Sequence, residues 1–289
     1  MDQAQQALVI AREVNDPTLL ARSLTACVFI ASQSYNAEAA RPYFAEAIGL
    51  ARTIGDRWRL SQILPWQGSA AIMAGDPIAA RAAAEEGRDL ADAIGDRSDS
   101  RACRMCLGWA QLMEGDLAGA VTQFGAVVAD AEAAHDAFVK VNSLRGLGFA
   151  LAYQGEVSAA RAAADAELKA DGELGEYFRG LGYSTVALAA LAAGDVAAAQ
   201  HASEAAWQHL NFQPTAAASS RAFQAQAALA SGDLIAARRL ADDAVTTTAG
   251  WHLIAVTAKP PASSARHMAF GNVPARSGSG SGAPAIKPR

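Results

Sequence analysis

Two cysteines three residues apart, Cys103 and Cys106, have the spacing that metal binding or thiol redox chemistry uses. A structural zinc ion needs four ligands, and the sequence contains no second cysteine pair to complete the set. The remaining cysteine, Cys27, is distant in sequence, so a disulfide framework is not indicated either. Both neighbouring cysteines fall in a stretch predicted to be helical, where a thiol commonly acts as a small buried apolar group. We therefore expect them to pack in the core, and we expect no metal and no cofactor.

Other catalytic chemistry has equally little support. The five histidines are scattered, with no pair spaced i, i+4 on a helix. A phosphate-binding loop requires Gly-Lys-Ser/Thr, and none of the four lysines follows a glycine. Acidic pairs such as Glu85-Glu86 fit solvated helix faces. No Ser-His-Asp arrangement can be assigned from spacing, so we predict no catalytic residues and a protein that is not an enzyme.

The charge is distributed unevenly along the chain. The formal net charge is −5, and residues 259–289 contribute +5, which leaves −10 on the rest. An acidic body argues against direct binding of nucleic acid, which requires clustered Lys and Arg. The start is polar, and no apolar run is long enough for a membrane span. These features predict a cytoplasmic protein without membrane contact.

The elements that position any site are set by a periodic turn pattern. A glycine followed by an acidic residue recurs at intervals of 40, 40, 39 and 38 residues. These dipeptides are Gly75-Asp76, Gly115-Asp116, Gly155-Glu156, Gly194-Asp195 and Gly232-Asp233. A second series lies between them, at Asn15-Asp16, Gly55-Asp56, Gly95-Asp96 and His135-Asp136. Glycine accepts the left-handed backbone that ends a helix, and the following acid can cap the next helix. Two interleaved turn series with one period indicate two helices per repeat.

The pattern predicts an all-α solenoid, a right-handed superhelix of about six helix pairs over residues 1–256. One helix pair cannot bury its own apolar face, so stacking must complete the core. The predicted pairs are 17–54, 57–94, 97–134, 137–173, 176–210 and 214–248, preceded by the second half of a second helix in residues 1–14. Pro65 should kink its helix or delay its start. A seventh first helix is expected from Trp251, followed by a disordered Pro/Ser/Gly-rich basic tail at 257–289.

One repeat carries the pattern of a known superfamily. The order Leu107-Gly108, Gly115, Ala120 and Phe124 resembles the tetratricopeptide repeat, with Arg104 in place of its leading Trp. A period near 40 and the segment 90–96 are most similar to the MalT-like sensor arrays of large bacterial LuxR-type regulators. In actinobacteria such arrays also follow nucleotide-cyclase and ATPase modules. The resemblance covers roughly residues 1–256 and implies the fold, but the ATPase and the helix-turn-helix of those regulators are missing from this sequence.

The resemblance also implies where a binding site would lie. First helices line the inner groove of tetratricopeptide arrays. The matching positions of the repeat with Leu107-Gly108, and of the next repeat with Leu147-Gly148, supply seven candidates. They are Met105, Trp109, Met113, Asn142, Arg145, Phe149 and Tyr153. Aromatic, Met and cationic side chains suit an extended peptide, an apolar helix or a small ligand with an anionic group. Two other interpretations stay open: the aromatic residues could be ordinary core, and Arg145 could pair with an acid on an adjacent repeat.

These features favour an interaction module of a bacterial regulatory system that binds a protein or peptide in its concave groove. The alternative is a small-molecule effector-sensing array of a truncated MalT-like regulator, without its ATPase and DNA-binding domains. A third hypothesis is a relic without independent function. A closed apolar pocket would favour a metabolite, and an open trough a polypeptide. Since neither end has a polar capping repeat, we expect a fragment of a longer regulator and self-association through uncapped ends.

Overall fold

The computed structural model of the chain describes residues 2–33, 37–170 and 174–247. Within these ranges the regular structure consists of thirteen α-helices and no strand. The helices are α1 (Asp2–Val14), α2 (Pro17–Gln33), α3 (Ala37–Ile54), α4 (Arg57–Met73), α5 (Pro77–Ile94), α6 (Arg97–Glu114), α7 (Leu117–Ala133), α8 (Ala137–Gln154), α9 (Val157–Ala170), α10 (Glu176–Ala193), α11 (Val196–Leu210), α12 (Pro214–Ala230) and α13 (Leu234–Thr247). Helix α1 stands alone, and the other twelve form six consecutive pairs. The all-α prediction and the six helix pairs are confirmed, with helix ends within about three residues of those expected.

The turns between helices follow the predicted chemistry. Gly115 ends α6 in the left-handed region with φ 87°, and its N–H bonds back to the carbonyls of the last turn. Asp116 then begins α7 by accepting a hydrogen bond from the N–H of Gly119 at 2.9 Å. His135 adopts the same left-handed conformation without being glycine, with φ 55°. Both turn series are local devices acting within a few residues, and therefore the sequence is sufficient to locate them.

Successive helix pairs pack closely where a large side chain lies against glycine residues of the neighbouring helices. Phe124 on α7 is fully buried. A Cβ added to Gly108 on α6 would come within 2.8 Å of the Phe124 ring, and one on Gly146 of α8 would overlap the same ring. Phe124 therefore packs against two consecutive first helices. The Leu-Gly and Phe positions of the tetratricopeptide pattern thus have a direct steric reason in this chain.

Pro65 does not delay the start of its helix. Helix α4 begins at Arg57, directly after Asp56, whose side chain accepts a hydrogen bond from the N–H of Arg59. Pro65 lies inside the helix and is buried. Among the described helices, none combines the length and the apolarity needed to cross a membrane. The predicted helix from Trp251 and the predicted tail at 257–289 fall outside the described residues.

The two ends of the described array expose apolar side chains. These are Val9, Ile10 and Val14 on α1, and Leu234, Ile235 and Val245 on α13. Self-association through these ends stays a prediction.

Candidate binding site on the inner face

Helix α8 presents one continuous face to the interior of the stack. Its residues Phe138, Asn142, Arg145, Phe149 and Tyr153 follow one another at intervals of four, three, four and four. This spacing places all five on the same side of an α-helix. Asp136 fixes the start of the helix by accepting a hydrogen bond from the N–H of Val139 at 3.1 Å. The face is therefore set by the helix period and by a local cap.

Aromatic rings at two positions on this face reach past the neighbouring first helix. Phe138 lies 6.2 Å, centroid to centroid, from Trp66 on α4, and the contact skips α6. Phe149 lies 6.1 Å from Phe223 on α12, and that contact skips α10. We call these pairs the Trp66–Phe138 bridge and the Phe149–Phe223 bridge. Side chains two repeats apart can touch only on the inner side of a curved stack, so the first helices line the inner face.

A polar pair occupies the middle of the α8 face. Asn142 donates its Nδ2–H to the carbonyl of Phe138 at 2.9 Å. Arg145 donates from Nη2 to Asn142 Oδ1 at 3.1 Å. The guanidinium carbon of Arg145 lies 5.0 Å from the centroid of the Trp109 ring, within the range of a cation–π interaction. Trp109 in turn packs edge-on against Phe149, with centroids 5.9 Å apart.

Arg145 is half-buried and has no acidic partner in the part of the chain that the structure describes. Its Nε is buried and makes no hydrogen bond there. The sequence left open an ion pair between Arg145 and an acid on an adjacent repeat. The described residues form no such ion pair. Desolvating a cation without a counter-charge costs free energy, so this position is unusual for a purely structural residue.

Two arginines of the preceding first helix, Arg101 and Arg104, have carboxylate partners. Arg101 on α6 is buried and donates from Nη1 to Asp136 Oδ2 at 2.9 Å. Arg104 forms an ion pair with Asp130. The hydrogen bond from Arg104 lowers the pKa of the Asp130 carboxyl below its usual range. Arg145 thus differs from its neighbours by the missing carboxylate and not by the type of helix that carries it.

The seven candidate residues predicted from the sequence form one connected region, although several of them are core residues. The apolar side chains of Met105, Trp109 and Phe149 are buried, and so is Asn142. Met113, Arg145 and Tyr153 keep part of their surface exposed. Burial raises the pKa of the Tyr153 hydroxyl. Structural packing accounts for the three buried apolar side chains, and the binding role of the set stays a prediction.

Two residues of this region were not predicted. Trp66 and Phe138 are both half-buried and close one end of the α8 face. The i, i+4, i+7, i+11 spacing from Phe138 to Phe149 was visible in the sequence and could have identified Phe138. Trp66 gave no such signal, because its contact depends on the curvature of the stack.

The two neighbouring cysteines are core residues. Cys103 and Cys106 are fully buried and carry free thiols. Burial raises the pKa of Cys106 to about 11. The Cys106 sulfur lies 3.5 Å from the carbonyl oxygen of Pro65, which lies inside α4. No group of three or more potential metal ligands is found among the described residues.

Paired helices, the turn period and an inner face made by first helices define a tetratricopeptide-like α-solenoid. A solved structure with the same fold is a signal transduction ATPase with numerous domains, carrying a tetratricopeptide repeat sensor, from Pyrococcus horikoshii. The match has a TM-score of 0.56 at 14% identity and covers 89% of this chain and 41% of that chain. At this identity the likeness concerns the fold alone. No family model matches the chain.

Closer sequence relatives occur in mycobacteria. The chain is 51% identical over 264 residues to proteins of Mycobacterium bovis and Mycobacterium tuberculosis H37Rv, which carry the provisional name HTH-type transcriptional regulator. The match covers 91% of this chain and 30% of each relative. The chain therefore spans less than a third of the length of the curated relatives it matches.

Proposed function

We propose that this chain is a non-catalytic sensing array of an HTH-type transcriptional regulator, with its binding site on the inner face. The proposal draws on the 51% identity to mycobacterial proteins with that provisional name, which extends over 264 residues. The fold of a tetratricopeptide sensor in an otherwise different protein is compatible with this role. The acidic array would contact no nucleic acid itself, since DNA recognition would belong to a separate helix-turn-helix domain.

The observation that carries the proposal is the uncompensated Arg145 at the centre of the α8 face. Its cation–π contact to Trp109 joins α6 to α8, and the Phe149–Phe223 bridge joins α8 to α12. A ligand seated among these side chains would contact several first helices at once. A ligand that binds one arrangement of those helices more tightly than another shifts the population toward that arrangement. The curvature of the array changes with it. The rest of a regulator could respond to that shift.

A second candidate function is a scaffold that binds a protein or peptide on the same side of the array. The specific observation is Phe29, which is 47% exposed at the amino-terminal part of the stack. Its ring lies 5.4 Å from that of Trp66 and would extend the aromatic surface toward a partner. Aromatic residues, Phe included, are enriched in the buried core of protein–protein interfaces.

The experiment is a thermal-shift screen of the full chain against a collection of cellular metabolites, with Arg145→Gln run in parallel. A ligand that binds only the folded state must raise the melting temperature. We expect at least one compound to do so with the parent chain and to lose its effect in folded Arg145→Gln. If no compound raises the melting temperature, the sensing proposal fails. A pull-down with Phe29→Ala as control then tests the scaffold function.

A further inference from the structure

We propose that the inner face of α8, between the two aromatic bridges, binds an aromatic carboxylate, and that Arg145 receives the carboxylate group. This inference rests on the proposed sensing function and names the chemical class of the ligand. Three features support it: an uncompensated cation, a planar donor group held in place, and aromatic walls on both sides. Each of them is a property of described residues.

The cation is the first feature. The guanidinium has five N–H donors, and the described contacts use one of them, toward Asn142. Asn142 is neutral, and its own amide donates to a backbone carbonyl and not to a carboxylate. A ligand carboxylate would supply the missing counter-charge. Arginine binds carboxylates through paired, parallel hydrogen bonds, which makes it better suited to this group than lysine.

A comparable arginine elsewhere in the array gives the contrast. Arg221 on α12 donates from Nη1 to Gln224 Oε1 at 2.7 Å and lies 3.5 Å from the ring centroid of Trp207. Each arginine therefore donates to a side-chain amide three residues away on its own helix and lies over a Trp ring. Gln224, however, also donates to Glu204 Oε2 at 2.8 Å, which places a carboxylate in the same network. The Arg221 network already contains its anion, whereas the Arg145 network does not.

The second feature is the position of the guanidinium. The Trp109 ring covers one side of the group, and the bond to Asn142 fixes its rotation. Trp109 is itself held by edge contacts to Phe124 at 5.5 Å and to Phe149 at 5.9 Å. An anion would meet a donor group that is already oriented, so less side-chain entropy is lost on binding.

The third feature is the pair of aromatic walls. Phe138 and Phe149 stand eleven residues apart on α8, which corresponds to about 16 Å along the helix axis. An extended polypeptide running along the groove would meet the Trp66–Phe138 bridge at one end and the Phe149–Phe223 bridge at the other. One or two aromatic rings are shorter than this separation, so the spacing of the bridges favours a small aromatic ligand over an extended polypeptide. Half-buried Trp66 and Phe138 offer ring surface for edge or offset stacking with such a ligand.

The test uses isothermal titration calorimetry on the full chain with three defined probes: benzoate, phenylacetate and indole-3-acetate. Each carboxylate is paired with its neutral carboxamide, which retains the ring and removes the charge. Variants are Arg145→Gln, Arg145→Lys and the matched control Arg221→Gln, each checked for folding by circular dichroism. Inorganic phosphate serves as a non-aromatic anion.

We expect at least one carboxylate to bind, with its carboxamide weaker by about 10- to 100-fold, as for a hydrogen-bonded charge. Arg145→Gln should lose the preference for the carboxylate, Arg145→Lys should retain part of it, and Arg221→Gln should retain it in full. Equal binding of carboxylate and carboxamide, unchanged binding in Arg145→Gln, or no binding of any carboxylate would overturn the inference. Phosphate competing as well as the aromatic acids would also overturn it. If only neutral metabolites raise the melting temperature in the screen above, the sensing function is supported and the carboxylate inference is wrong.

Discussion

Phe124 packs directly onto the backbone of Gly146, across the boundary between two repeats, and leaves no room for a side chain there. The ring belongs to the second helix of one repeat, and the glycine to the first helix of the next. This contact gives a steric reason for a glycine inside helix α8, although glycine disfavours helix by up to about 1 kcal/mol relative to alanine. Stacking of repeats in this chain depends on such close approaches.

We expect Gly146→Ala to destabilise the array. The added methyl group would overlap a fully buried ring, and overpacking of this kind costs about 1–3 kcal/mol, partly offset by the better helix propensity of alanine. The free energy of unfolding should be measured by urea denaturation. Gly125→Ala on α7 is the control, because a Cβ there meets nothing within 4 Å. A Gly146→Ala chain as stable as Gly125→Ala would contradict the proposed packing.

Asp136 has two roles that can be separated by substitution. It caps α8 and also accepts a hydrogen bond from buried Arg101 at 2.9 Å. Asp116 caps its helix through Gly119, and among the described residues it has no ion pair. Asparagine is a good cap, so we expect Asp116→Asn to be nearly neutral. Asp136→Asn should lower the free energy of unfolding by about 1.5–3 kcal/mol, the usual range for a hydrogen bond to a charged group. Equal effects of the two substitutions in chemical denaturation would argue against the Arg101 contact.

Asp99 predicts an unusual dependence of stability on pH. Burial, followed by the nearby charge of Asp96 and a side-chain hydrogen bond to it, raises the pKa of Asp99 to about 7. In the unfolded chain an aspartate titrates near a pKa of about 3.9. Between these values the folded state binds more protons than the unfolded state, so this group makes the fold less stable as pH rises from about 4 to about 7.

The measurement is the melting temperature of the parent chain and of Asp99→Asn across that pH range. The variant cannot lose a proton at this position. Its advantage over the parent chain should therefore be largest above pH 7 and should shrink toward pH 4. A difference that stays constant with pH would show that Asp99 titrates normally.

The three thiols should be protected in the folded chain. Cys27, Cys103 and Cys106 are all fully buried, and burial raises the pKa of each. Because the thiolate is the reactive form, Ellman's reagent should modify no thiol rapidly before unfolding and three per chain in denaturant. A fast-reacting thiol in the native chain would revive the redox interpretation of Cys103 and Cys106.

Sequence by itself determined the repeat architecture of this protein. Left-handed helix ends such as Gly115 and caps such as Asp116 act through backbone contacts within a few residues, so their spacing along the chain is enough to place the helices. The assignment of Arg145, Asn142 and Trp109 to one region followed from the resemblance to tetratricopeptide arrays, in which the first helices line the inner groove.

Only the tertiary structure decided how that region is built. The Trp66–Phe138 and Phe149–Phe223 bridges connect repeats two apart, and their existence depends on the curvature that accumulates as helix pairs stack. Whether Arg145 meets an acid depends on the same accumulated geometry, since helix α8 itself contains no acidic residue. Local propensities carry no information about such distances, because contacts between distant segments are set by packing of the whole array.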